Sequence, residues 1–122
     1  MKRKEILILL LILLILTLIA GCAPSFTPVL SGAKEITSYR FEATINPVLS
    51  SDVEGTIDSD NHTIFLTVPY DPPITSLVAT FTLSSGATAK IGTAPQVSGT
   101  TANDFTHSLT YTVTAEDGSS QD

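Results

Sequence analysis

The chain predicts an all-β fold: an antiparallel β-sandwich carried behind an apolar N-terminal segment. Two observations carry that expectation. After residue 34, apolar and polar residues alternate with a period of two, the spacing at which successive strand side chains face opposite sides. The alternating runs are short and separated by clusters of Asp, Asn, Gly, Ser and Pro, with no helical repeat between them, which is the pattern of a sandwich. Threonine fills many of the polar positions, and its branched Cβ suits the pleat.

The chain opens with Lys2-Arg3-Lys4 and a run of fifteen almost purely apolar residues, Ile6 to Ala20. As a helix that run would reach roughly 22 Å, short of the ~30 Å hydrocarbon core. A basic start, an apolar stretch and small residues at its end make a secretory signal peptide. Ile19-Ala20-Gly21-Cys22 resembles a bacterial lipobox. That resemblance implies cleavage after Gly21 and a lipoprotein whose Cys22 sulfur carries a diacylglycerol, with palmitate among the acyl chains. Cys22 is the only cysteine, so its acylation leaves no thiol for a disulfide, a metal site or a nucleophile.

Residues 22–122 suffice for one small domain. Lys34, Arg40 and Lys90 face eleven carboxylates there, a net charge of −8. Such a surface repels phosphate backbones and excludes nucleic acid as a partner. Membrane attachment is expected through the lipid and not through charge. The organisation expected is a signal peptide over 1–21, a flexible tether over 22–33 and a β-sandwich over 34–122. The tether reading rests on Ala23 to Ala33, rich in proline, glycine and serine and without periodicity.

The strands follow in order. Ile36 to Ile45 places Thr37, Tyr39, Phe41, Ala43 and Ile45 on one face and Arg40, Glu42 and Thr44 on the other. Val53-Gly55-Ile57 and Ile64-Leu66-Val68 flank Asp58-Ser59-Asp60-Asn61, which reads as a tight turn. Pro69 to Pro73 is a wider crossing that cannot sit in a sheet centre. Leu77 to Leu83 and Ala87 to Ile91 come next, then corners at Gly92 to Pro95 and Ser98-Gly99. Phe105 to Glu116 closes the series as one long alternating strand. The expected core is Tyr39, Phe41, Ile57, Leu66, Phe81, Leu109, Tyr111 and Val113, with Arg40, Glu42, Thr110 and Thr112 facing solvent.

The succession of Lys34 to Tyr39, Gly55 to Asp58, Ile64 to Pro69, Leu77 to Phe81, Gln96 to Thr100, Asp104 to Thr106 and Tyr111 to Gly118 resembles an immunoglobulin-like module of unknown function found in bacterial surface lipoproteins. The resemblance spans about residues 33–122 and implies an antiparallel immunoglobulin-like β-sandwich, with no chemistry attached. In such modules Asp-Gly is followed by a closing strand. Asp117-Gly118 is a hairpin signal, and four residues follow it here. The expectation is a domain lacking its last strand, with an unpaired edge along Leu109 to Glu116.

Chemistry is sparse. His62, beside the turn, is expected in solvent, and His107 at the rim of its strand; two separate histidines do not make a zinc site. Asp58 to Asn61 resembles the first half of a calcium loop, which Asp52 and Glu54 would approach across the hairpin. It lacks the sixth-position glycine and the twelfth-position glutamate, so the turn reading prevails. Neither Gly-x-Ser-x-Gly nor Gly-x-x-x-x-Gly-Lys occurs. The function expected is a lipid-anchored, non-catalytic structural or interaction module of the bacterial cell envelope, without cofactor or metal. Its location is the outer membrane or cell surface where the host has one. The alternative is a carbohydrate-binding domain in which Tyr70, among prolines, offers a ring to a glycan.

Overall fold

β-Branched and aromatic residues at alternate positions build eleven short strands in a computed structural model that describes residues 24–69 and 71–122. Gly21, Cys22, the signal-peptide segment and Tyr70 lie outside the described residues. Strands β1 (Ile36–Phe41), β2 (Val53–Glu54) and β6 (Thr80–Leu83) form one antiparallel sheet in the order β2-β1-β6. A second sheet, β11-β10-β7-β8, joins β7 (Thr88–Ile91), β8 (Ala94–Gln96), β10 (Thr112–Thr114) and β11 (Ser120–Gln121). Two ribbons complete the fold: β3 (Thr56–Asp58) with β4 (Thr63–Phe65), and β5 (Leu77–Val78) with β9 (Ala102–Asn103).

The sheets share one core. Tyr39, Phe41, Val53 and Phe81 from the first meet Ala89 and Val113 from the second, with Leu49, Leu77 and Ala79 between them. The Tyr39 ring stacks on Phe81 at 6.1 Å and meets Tyr111 edge-on at 5.7 Å. Such pairs add to the burial of their area. Gly55 fits because its amide bonds the Tyr39 carbonyl at 2.8 Å, and a Cβ there would sit 2.8 Å from that same oxygen.

The alternation places Tyr39, Phe41, Phe81 and Val113 in the interior as expected, while Ile57, Leu66, Leu109 and Tyr111 are half-buried. Three expectations are corrected. Ile45 is exposed because the strand stops at Phe41. The chain then turns, with the Ile45 and Asn46 amides donating to the Glu42 carbonyl. The buried Asn46 side chain holds the turn in place. Its Nδ2 donates to the Glu42 and Val78 carbonyls at 3.0 and 2.9 Å, and its Oδ1 accepts from the Val78 amide at 2.7 Å. Second, the run from Phe105 to Glu116 enters a ladder only over Thr112–Thr114, since the neighbouring β7 ends at Ile91. Third, Glu42 and Thr112 are half-buried and not solvated: Glu42 pairs with Arg40, and the Thr112 hydroxyl donates to Asp122.

The corner at Gly92 to Pro95 is a two-residue turn into an edge strand. Ile91 pairs with Ala94 and Lys90 with Pro95, and proline is tolerated at an edge. The Asp117-Gly118 hairpin has a second arm. Gly118 sits at φ 85°, Ala115 N bonds Ser119 O at 2.8 Å, and β11 pairs Val113 with Gln121 and Thr114 with Ser120. The edge expected to be open from Leu109 to Glu116 is therefore paired at its C-terminal half. Ser31 ties the end of the tether segment to this hairpin, its carbonyl accepting from Asp117 N and its amide donating to Glu116.

Candidate functional site

Two elements distant in sequence face each other across the first sheet and leave a cleft of about 760 Å³ between them. One wall is the β3–β4 ribbon, contributing Ile57, Ile64 and the exposed Phe65. The other is the segment from Phe105 to Tyr111, and the floor is Tyr39 and Phe41. Phe105 is held by edge contact with Phe41 at 4.9 Å and by its amide, which bonds the Ile74 carbonyl.

The phenols of Tyr39 and Tyr111 are hydrogen-bonded at 2.9 Å beneath the cleft. Burial pushes the Tyr39 phenol far above its ordinary value, with the Tyr111 bond adding to the shift. Burial also raises Tyr111, and its bond to Tyr39 opposes that rise. Both stay neutral wherever the protein functions, so the floor is apolar with one internally satisfied polar pair.

The wall turns are stiffened by their own side chains. Asp58 accepts from the amides of Asp60 and Asn61 at 3.1 and 3.2 Å and from the Asn61 side chain at 2.8 Å. Those bonds, the Asn61 side chain first, hold its carboxyl below the usual range. This is the tight turn the sequence predicts, with His62 at φ 52° completing it. Asp52 and Glu54 do not join it: Asp52 accepts from the Ala43 amide at 2.8 Å, and Glu54 lies 3.9 Å from Arg40. Asp104 caps the opposite wall by accepting from Thr106, whose backbone amide is the main cause of its lowered pKa.

His62 and His107 are both exposed and both line the cleft, one on each wall. His62 Nδ1 and the Gln121 side-chain amide are hydrogen-bonded at 2.7 Å, which pins the ribbon to β11. Among the described residues, no group of three His, Cys, Asp or Glu side chains is placed to hold a metal ion. A smaller groove of about 400 Å³ lies between Val48, Leu49 and Ser50 and the loop residues Pro69, Asp71, Pro72 and Pro73. Gly21, Cys22 and Tyr70 lie outside the described residues.

The cleft was not visible in the sequence, because its walls come from runs some forty residues apart that each read simply as a strand. Asn46 was missed as well. Its only signal is the Asn46-Pro47 dipeptide, a turn marker.

The arrangement defines an antiparallel β domain with an open apolar cleft. The chain belongs to the family described as SGBP, N-terminal, whose model matches residues 36–122. That description denotes surface glycan-binding proteins. Comparison with curated proteins and with solved structures returned no match.

Proposed function

We propose that this chain is a lipid-anchored, non-catalytic module of the bacterial cell envelope that serves surface glycan binding. The observation that carries the reading is the family match over 36–122, which covers the whole sheet-bearing part. The two-sheet core supports an immunoglobulin-like sandwich, a scaffold that presents loops and edges to partners. The lipobox supports attachment through Cys22, with Gly21 at the cut. The Pro- and Ser-containing stretch that follows supports a tether between lipid and domain. Localisation then follows the lipid: the outer membrane or cell surface where the host has one.

A second reading, in which the module itself holds a glycan, is favoured by the loop around Tyr70. Pro69 and Asp71 flank that residue and border the groove at Val48 to Ser50. Asp71 is held at φ 105°, a strained conformation that proteins concentrate at ligand sites. The groove lining sets Ser50 and Asp71 among Val48, Leu49 and three prolines, an apolar surface with a few polar groups, the composition a ligand site needs. Glycan-array binding of the chain and of Tyr70→Ala separates the two. Binding lost in Tyr70→Ala places the ligand at the loop; binding kept in Tyr70→Ala places it elsewhere on the module. Binding to immobilised nucleic acid in preference to glycans would contradict both.

A further inference from the structure

We infer that Phe26 and Val29 form one apolar edge that lies in the headgroup–acyl boundary of the bilayer holding the Cys22 lipid. The segment behind the lipid then does more than link it to the domain: it is a second membrane contact, and it holds the domain close against the surface. The inference rests on acylation of Cys22, the reading proposed above.

Four observations carry the assignment. First, Phe26 and Val29 are 88% and 97% exposed, so nearly the whole of each side chain is left to gain from an apolar surface. Among the described residues, 24–30 join no strand and no backbone hydrogen bond. Second, the spacing puts the two side chains together. Pro24 and Pro28 fix their own φ, and Pro28 pushes Thr27 to the extended region, which favours a backbone of about three residues per turn. At that period Phe26 and Val29 share an edge, and Ser25 and Thr27 fall on the other two.

Third, the segment suits the boundary and not the hydrocarbon core. No residue from Cys22 to Ala33 is charged, and the two prolines have no amide hydrogen to leave unpaired. The remaining amides still need partners, which hydrated headgroups supply and acyl chains do not. Fourth, the chain brings this edge to the bilayer. Phe26 follows Cys22 by four residues, at most about 14 Å of extended chain. At its other end the segment is tied down at Ser31, which bonds Asp117 N and Glu116. The free span from Cys22 to Ser31 reaches about 30 Å. With Val29 at the boundary, about 7 Å of chain remains before Ser31. The Glu116–Asp117 turn then faces the headgroups, so neutral lipid is the fitting surface and anionic lipid the disfavoured one.

The sequence has no tryptophan, so one introduced at a time reports its own surroundings. The test uses the full chain produced in bacteria as Phe26→Trp, Val29→Trp, Thr27→Trp or, on the domain surface, Val97→Trp. Intact mass reads the acylation of each, and each is reconstituted in phosphatidylcholine vesicles with and without brominated acyl chains. The expected result is blue-shifted emission, several-fold weaker quenching by aqueous iodide and strong quenching by bromine in the Phe26→Trp and Val29→Trp chains. Thr27→Trp is expected to be less shielded, and Val97→Trp to stay in water. Iodide reaching the Phe26→Trp and Val29→Trp reporters of acylated chains as freely as the Val97→Trp one overturns the proposal and leaves the Cys22 reading standing. Equal shielding at 26, 27 and 29 overturns it too, since no edge is then selected. A chain of unacylated mass removes the Cys22 reading and the proposal with it.

Discussion

Phe41 is 1% exposed and touches both Tyr39 and Phe105, so truncating it removes contacts from the interior and from a cleft wall together. Phe41→Ala is expected to cost about 3–5 kcal/mol, measured by denaturant unfolding. Thr112→Ala should cost well under about 1 kcal/mol, since its hydroxyl bonds only the exposed Asp122. If the threonine change proved the more damaging, the facing of every residue in β10 would be reversed. Asn46 is the polar counterpart of Phe41. Its replacement by Ala takes the side-chain partner from the Val78 amide and carbonyl, while the Glu42 carbonyl keeps its two backbone donors, with an expected loss of about 1–3 kcal/mol for a buried group left unpaired. Acid stability is set by exposed turn carboxylates. Asp58, Asp104 and Asp117 all have lowered folded-state pKa values, Asp117 chiefly through the Ser119 hydroxyl. A lowered pKa stabilises the fold above the unfolded value near 3.8 and loses that contribution as pH falls through the folded one. Melting temperature should therefore hold steady above about pH 5 and fall below it, and Asp117→Asn should make that acid decline shallower.

At the scale of elements, the close approach of β1 to the β2–β3 junction depends on Gly55. A methyl there meets the Tyr39 carbonyl, so Gly55→Ala should destabilise by about 1–3 kcal/mol and raise exchange at both flanking strands. Thr80 makes the opposite case. Its buried hydroxyl has no hydrogen-bond partner, and Thr80→Val should leave the unfolding midpoint unchanged or raise it. Strand positions were legible in the sequence wherever a run alternated over a sheet-backed stretch, as at Tyr39, Phe41, Phe81 and Val113. Strand ends were not. Ile45 continues the alternation perfectly, yet the backbone has already turned at Glu42 under the control of Asn46, a tertiary bond to Val78 that no local pattern encodes. Likewise Phe105 to Tyr111 alternates as a strand does but extends beyond its neighbour β7, and a ladder needs a partner as well as a pattern.

For the whole molecule, the all-β class follows from short hydroxyl-rich strands around a small aromatic core, whereas the family rests on the match over residues 36–122. The site followed only in part. The sequence marks Gly21, Cys22 and Tyr70 for the lipid and a glycan, and it marks His62 and His107 merely as isolated rings. That the two histidines share one cleft depends on how the β3–β4 ribbon packs over the first sheet. In the proposed function, a lipid at Cys22 holds a glycan-binding module at the surface. The most direct test measures retention of a fluorescent polysaccharide on bacteria producing the chain or its Cys22→Ser variant, with clickable fatty acid reporting acylation in the same cells. The expected result is an acylated chain that retains the polysaccharide and a Cys22→Ser variant that loses both. Equal acylation and retention by the two chains, or a fully acylated chain that retains no polysaccharide, would contradict it.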